Sequence, residues 1–356
     1  MDDHVEWLAG LSPWPTGGFG VERMRALLAA LGEPQRANPA IHVVGTNGKS
    51  TATRTIEALL LGEGVSVGAT VSPHVRRWSE RIRVDGEEVD LDAALSRVRE
   101  PAERLAATQF ETVTAAALTA FADRGVDVAV VEAGLGGRLD ATNVIAARVV
   151  LLTNVGRDHT DVLGDDLEGI AREKLAVAHV DSIVVVPDNS WMQLLPVRRA
   201  AIGGAHEAAE AFVGRRIDRS VAVALPGRLE LRAGEVRDGA HNPDGVRWLA
   251  QRLPASDYTV CASILRDKDV DEMLALLATC GRRLVATSSS SPRALDARAL
   301  ARRARPHFER VEAVADPRRA LARAHALGEP VLVTGSLYLL ADLEAAEGPS
   351  EEDRAG

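Results

Sequence analysis

At 356 residues the chain is long enough for two domains, each with its own core. Its 42 Lys and Arg against 51 Asp and Glu leave a net charge of -9, which excludes the broad basic field that gathers nucleic acid, so anionic ligands have to be met locally. Two cysteines without CxxC spacing exclude a disulfide framework and a cysteine zinc site, the acidic start MDDHVEWLAG is unlike a signal peptide, and no apolar run approaches the ~20 residues of a membrane span; a cytoplasmic protein is the expectation.

In chain order, apolar runs alternate with helical periodicity, the pattern of parallel sheets flanked by helices, so the fold class is α/β. Strands are expected at 41–44, 65–70, 126–132, 149–153 and 183–186, and the alternation on both sides of Asp85-Gly86 in SERIRVDGEEVDL predicts a hairpin. Pro226-Gly227 punctuates the chain, and a second, smaller series follows. It has a short hairpin between Arg228 and Asp238, strands at 258–262, 284–287 and 330–333, and helices at 244–253, 270–277 and 317–325. The expected organisation is a P-loop NTPase-like domain with a mostly parallel sheet over 1–224, a Rossmann-like domain over 225–345, and an acidic, disordered tail over 346–356.

Between the first expected strand and a helix lies Gly45-Thr46-Asn47-Gly48-Lys49-Ser50-Thr51. A glycine-rich turn in that context presents backbone N–H groups to phosphate, the helix start adds its positive end, and Lys49 reaches the β- and γ-phosphates. Val43 stands where the generic P-loop has its first glycine, so the match to that pattern is incomplete. A nucleotide site of this kind needs magnesium, and Glu132 closes an apolar strand at the sheet edge where open α/β folds bind ligands. Asp158-His159 follows the strand that ends at Thr153-Asn154; on chemistry alone a histidine is an unusual partner for an ion that prefers oxygen. Lys174 reads by composition as a surface lysine and Cys261 as a core residue.

The blocks GGFGVERMRALLAALGEPQ, IHVVGTNGKST, SPHVRRWSERIRVDG, FETVTAAALTAF, EAGLGGRLDATNVI, TNVGRDHTDVLGDDLEGIAREK, PGRLE, DGAHNPDG, RDKD and TGSLYL occur in that order over nearly the whole chain. Together they resemble the signature blocks of folylpolyglutamate synthase and dihydrofolate synthase, members of the Mur ligase superfamily of ATP-dependent amide-forming enzymes. The resemblance implies that Lys49 and the amides of Thr46 to Ser50 hold ATP phosphates, with Gly45 and Gly48 shaping the turn and Ser50 or Thr51 giving a hydroxyl to Mg2+. It implies Glu132 and His159 as metal ligands, and Lys174 as a lysine that is carbamylated and bridges to a second magnesium. In the second domain it implies Arg228 on phosphate, Asp238 on ribose and His241 near the transferred group, with residues around Pro226 as a hinge for closure. Ser72, Pro73, His74 and Arg81 are implied beside the pterin, where Trp78 either touches the ring or packs on its neighbours; Arg138, Asp140 and Asn143 shape the pocket.

The implied reaction joins L-glutamate to dihydropteroate, to the terminal glutamate of a reduced folate such as tetrahydrofolate, or to both, in a protein expected to be a monomer. A carboxylate has no good leaving group, so it is first phosphorylated by ATP, and an amine then captures the acyl phosphate. Two departures stand out: Lys49 is followed by Ser50-Thr51 where this family commonly reads Gly-Ser, and Glu210 occupies the place of an Asn expected to face adenine, within a shortened 177–225 segment. Two other readings follow from these features, a UDP-muramyl ligase of the cell wall and a nucleotide-binding paralogue without turnover. SPHVRRWSERIRV and GLGGRLDATN favour the folate branch over the first.

Overall fold

The computed structural model describes residues 3–195 and 197–347, and the chain divides between residues 223 and 224 into two compact units. In the first unit, α1 (Asp3–Gly10) and α2 (Glu22–Ala30) precede β1 (Ala40–Val44), α3 (Lys49–Gly62) and β2 (Val67–Thr70). The hairpin β3 (Ile82–Val84) and β4 (Glu87–Glu88), then α4 (Leu91–Arg104), α5 (Gln109–Arg124) and β5 (Val128–Glu132) follow. The unit ends with β6 (Ala147–Leu152), α6 (Thr160–Leu163), α7 (Leu167–Leu175), β7 (Ile183–Val186), β8 (Arg199–Ile202) and α8 (Ala205–Val213).

These strands form one sheet in the order β4-β3-β2-β5-β1-β6-β7-β8, parallel except at the β2–β3 and β3–β4 pairs. The central strands β1 and β5 are buried along their whole length, as strands covered by helices on both faces must be, which explains sequences that are apolar except for His42 in β1 and the terminal Glu132 of β5. The period of two divides β1 between the faces. Ile41 and Val43 pack with Ile56 and Leu59 of α3 and Ala208 and Phe212 of α8, while Ala40, His42 and Val44 point the other way. Helix starts follow local chemistry: Thr108 and Glu111 form a reciprocal cap on α5, and Asp166 accepts from Gly169 N at 2.8 Å to begin α7.

β1 lies between β5 and β6, so the chain leaves β1 with a parallel neighbour on each side. The loops after β1, β2, β5 and β6 therefore gather at one edge, the position at which open α/β sheets bind ligands.

The second unit has β9 (Glu230–Arg232), β10 (Glu235–Arg237), α9 (Pro243–Ala250), β11 (Thr259–Ala262), α10 (Val270–Leu277) and β12 (Arg283–Ala286). It continues through α11 (Ala297–Ala304), β13 (Arg310–Ala313), α12 (Pro317–Leu327), β14 (Val331–Thr334) and α13 (Leu337–Glu347). Its sheet order is β13-β12-β11-β14-β10-β9, with β9 antiparallel to β10 and the other pairs parallel.

Two strands escape the sequence reading, β8 and β13, and each is the edge of its sheet. An edge strand is half solvated; RAAI and RVEA accordingly lack the apolar run that marks their neighbours. α13 carries regular structure to Glu347, two residues into the segment expected to be a tail; 348–356 lie outside the described residues.

Candidate active site

The turn after β1 is laced to the turn after β6. Asn154 Oδ1 accepts from Thr46 N at 3.1 Å and Asn47 N at 2.8 Å, Thr153 Oγ1 donates to Asn47 O at 2.7 Å, and the Thr46 hydroxyl donates to Gly156 O at 3.1 Å. Gly45, at φ 151°, makes this approach feasible, because a Cβ there would run into the Thr153 side chain. The amides of Thr46 and Asn47, expected on phosphate, are thus taken by Asn154. The N–H groups of the first turn of α3, from Lys49 and Ser50 onward, have no partner inside the helix and carry its positive end.

Two lysines converge on one carbonyl. Lys49 Nζ donates to Gly45 O at 3.1 Å and Thr46 O at 3.3 Å, and Lys174 Nζ donates to Gly45 O at 2.9 Å. Lys174, far from being a surface residue, is 3% exposed. Burial first, and then the Lys49 charge beside it, pull its ammonium down to about 7. The loop after β5 reaches α7 at Gly137, where a Cβ would stand 2.6 Å from the carbonyls of Glu173 and Lys174, so no larger residue fits between that loop and the Lys174 backbone.

Glu132 bridges two loops. Ser50 Oγ donates to its Oε1 at 3.1 Å and Ser72 N to its Oε2 at 3.0 Å, while Glu132 itself is 3% exposed. A hydroxyl and a carboxylate oxygen at this separation are the hard donors that magnesium takes beside waters and phosphate oxygens, so the residues present fit that ion. Thr51 is exposed, which leaves Ser50 as the hydroxyl placed with the acid. His159 begins α6 in the left-handed region and engages Asp158, whose Oδ1 accepts from His159 N at 2.9 Å. Among the described residues no three His, Cys, Asp or Glu side chains converge as a metal cage.

The segment after β2 forms a stacked trio. Arg81 Nε donates to His74 Nδ1 at 2.9 Å, the Arg81 guanidinium lies 4.4 Å from the Trp78 ring centre, and the His74 and Trp78 rings are 4.5 Å apart. Burial, then the Arg81 charge, lowers the His74 pKa to about 3, so the ring is neutral and its proton sits on Nε2. Trp78 therefore packs on its neighbours. Glu80 accepts from Val75, Arg76 and Arg77 amides, and Arg54 of α3 donates to Glu80 O at 2.6 Å, tying the Pro73 loop to the helix that Lys49 begins. Arg138 pairs with Glu173 at 3.2 Å, Asn143 Nδ2 donates to Arg138 O at 2.9 Å, and Asp140 is buried and bonded to the backbone of its own loop.

In the second unit Asp238 and His241 follow β10, and Arg228, which precedes β9, lies close enough to Asp238 for its charge to act on it. Asp238 is 5% exposed and accepts from Leu229 N at 2.7 Å through one oxygen and from Ala240 N at 2.8 Å through the other. Burial raises its pKa against those bonds and the nearby Arg228 charge. The ribose contact expected of Asp238 thus meets a carboxylate engaged in holding its own loop. His241 Nδ1 bonds Gly239 O at 2.8 Å, which fixes the proton on Nδ1 and leaves Nε2 as the basic nitrogen of the neutral ring. Glu210, expected to face adenine, accepts from Ile217 N at 2.9 Å and lies 3.7 Å from His206.

Asn154, Ser72 N as a partner of Glu132, and the burial of Lys174 are the features that sequence reasoning missed. The first two depend on which strands are neighbours; the TN dipeptide after an apolar run was the available signal for Asn154.

A glycine-rich turn and a lysine-headed helix at the end of a central parallel strand define a P-loop type nucleotide-binding fold. Residues 43–212 match the Mur ligase middle domain and residues 227–337 the Mur ligase glutamate ligase domain. A dihydrofolate synthase/folylpolyglutamate synthase of Mycobacterium tuberculosis is 34% identical over 83% of this chain and 80% of its own length. A folylpolyglutamate synthase from that organism, complexed with ADP, superposes with a TM-score of 0.88 at 31% identity over 97% of both chains. Escherichia coli FolC in complex with DHPP and ADP gives 0.85 at 27% identity, over 99% of this chain and 97% of that one. A bifunctional folylpolyglutamate synthase/dihydrofolate synthase with Mn, AMPPNP and L-glutamate bound gives 0.81 at 26% identity, over 96% of this chain and 97% of that one. The chain belongs to the dihydrofolate synthase/folylpolyglutamate synthase family of Mur ligases.

Proposed function

We propose that this protein joins L-glutamate to dihydropteroate, to the terminal glutamate of a reduced folate, or to both, at the expense of ATP and through an acyl phosphate. The observation that carries the reading is the bridge from Ser50 through Glu132 to the backbone of Ser72, which links the phosphate-binding turn to the Ser72–Arg81 segment assigned to the pterin. A relative holds DHPP with ADP and another holds Mn, AMPPNP and L-glutamate, which supports the same set of substrates here.

The chemistry follows from charge. An oxygen of the acceptor carboxylate attacks the γ-phosphorus of ATP and ADP leaves; the glutamate amine then attacks the acyl carbon, and phosphate departs with that oxygen. Both partners in the first step are anions. Lys49 and the positive start of α3 would lower their repulsion, and Arg228 is assigned to phosphate on the resemblance. Magnesium, when bound, supplies further charge neutralisation; Ser50 and Glu132 would hold it, with His159 assigned as a further ligand. Because the amine must attack unprotonated, a base is required, and Nε2 of His241 is our candidate.

Carbamylation of Lys174 belongs to the same proposal. The reaction needs a neutral amine, and an ammonium pulled down to about 7 loses its proton near neutral pH where an ordinary lysine keeps it. The added carboxylate would also turn two adjacent positive charges into an opposite pair. We further assign the protein to the cytoplasm as a monomer; among the described residues no helix is long and apolar enough to cross a membrane.

The test is ADP release with Mg2+, ATP and L-glutamate, adding dihydropteroate, tetrahydrofolate or a UDP-muramyl substrate in turn. Turnover with a pteroate or folate acceptor is expected. Turnover with the muramyl substrate alone, or with none, would replace this reading by one of the two competing ones.

A further inference from the structure

His42 lies in the middle of β1, is 0% exposed, and has no role in the site described above. Its Nε2 is 2.8 Å from Thr142 Oγ1, whereas its Nδ1 is buried without a hydrogen-bond partner. The Thr142 hydroxyl in turn bonds Asp140 Oδ1, which also accepts from Thr142 N at 2.9 Å. The other Asp140 oxygen accepts from Leu135 N at 2.7 Å. Leu135 is in the loop that begins at Glu132 and passes against Lys174 at Gly137.

The hydroxyl has one proton, so this chain can run in two senses. If Asp140 were protonated and donated to Thr142, the hydroxyl would donate to Nε2, and the His42 proton would sit on Nδ1 as an orphaned buried donor. If Asp140 is a carboxylate, Thr142 donates to it and His42 donates from Nε2; the orphan is then only a lone pair. Burial pushes the Asp140 carboxyl up, and the Thr142 hydroxyl with the two backbone N–H groups pulls against it; the choice between the two senses rests on the imidazole, because an unpaired buried N–H costs more than an unused acceptor.

We propose that His42 is a positioning residue that acts through Thr142: its neutral ring donates from Nε2 to the Thr142 hydroxyl, which donates to Asp140, and the carboxylate so fixed clamps the 133–139 loop between Glu132 and Lys174. Burial, which lowers the His42 pKa to about 3, keeps the ring neutral throughout the physiological range. The chain reaches no reacting atom; what it sets is the separation of an acid assigned to the metal and a lysine beside the phosphate turn.

The kinetic consequence rests on the ligase reading, but the hydrogen-bond arrangement does not, so two readouts are needed. The first is the long-range 15N–1H correlation spectrum of the full chain with 15N-labelled histidine at pH 7, His42 being assigned among the nine histidines by the signal lost in His42→Gln. A ring protonated on Nε2 is expected; protonation on Nδ1, or on both nitrogens, overturns the proposal. The second compares Thr142→Val with Thr142→Ser. Valine removes the hydroxyl and is expected to lower kcat about ten-fold with KM for ATP little changed, whereas serine restores kcat to within about two-fold. Equal kcat in wild type and Thr142→Val, or a serine variant no better than valine, overturns it. If the wild type shows no ligase turnover, the ligase reading fails, and the imidazole spectrum still decides the proposal.

Discussion

Glu132 and Asp238 are both acids at the carboxyl end of a strand, one in each unit, and both are almost wholly buried. Their partners differ. Glu132 takes one bond from the rotatable hydroxyl of Ser50 and one from the Ser72 amide, whereas Asp238 takes two from backbone amides that cannot turn away. A hydroxyl can exchange its acceptor for another ligand at little cost; a buried amide that loses its acceptor stays unsatisfied. Burial of a carboxylate is therefore no sign of function by itself. The kind of donor that faces it is what distinguishes Glu132, which we assign to the metal, from Asp238, which holds its own loop.

That contrast can be broken by substitution. Lys49→Ala, on the same side as Glu132, should lower ADP release on the order of 10³-fold or more, with unfolding free energy changed by less than about 1 kcal/mol. Undiminished turnover in that variant would refute the phosphate assignment. Asp238→Ala should do the reverse at the level of the fold, lowering stability by about 2–4 kcal/mol in urea titration as Leu229 and Ala240 lose their acceptor. Asp238→Asn keeps one acceptor oxygen and should lose less. If both variants unfold like wild type, Asp238 is not the loop brace described here.

Glu132→Gln comes next. It should reduce activity about 10- to 100-fold and raise the magnesium concentration needed for half-maximal rate, with little change in stability. An unaltered magnesium dependence would remove Glu132 from the metal site. The smallest effect is expected at Lys174. In protein kept free of CO2, and so uncarbamylated, its folded pKa lies near 7 against 10.5 for the free side chain, so between those values the unfolded chain holds the extra proton and wild-type stability rises with pH. Lys174→Met removes that slope. The variant should gain on the order of 1 kcal/mol over wild type near pH 6, after its lost bond to Gly45, and lose the advantage by about pH 10.5. Parallel pH profiles for the two proteins would show that Lys174 is not depressed.

The fold was legible where strands are central. β1 and β5 are apolar but for His42 and Glu132 because both faces are covered, and the phosphate turn was legible because GTNGKST sits between such a strand and a helix. β8 and β13 were not, since an edge strand keeps one side in water and needs no apolar run. Within the site, residue types were readable and partners were not. Nothing in the order of residues says that Asn154 takes the amides of Thr46 and Asn47, or that Ser72 N meets Glu132, because both contacts follow from strand neighbours distant in sequence. Lys174 shows the same limit: its depressed pKa is a product of burial beside Lys49, which composition alone reads as an ordinary surface charge.

If the site works as proposed, an acceptor carboxylate is activated by transfer of phosphate before glutamate captures it. The direct measurement uses dihydropteroate, or the folate that supports turnover, with 18O in the reacting carboxylate, and mass analysis of the phosphate released with Mg2+, ATP and L-glutamate. One labelled oxygen in phosphate per amide formed is the result expected. Amide formation with unlabelled phosphate would contradict the acyl phosphate and the site built around it.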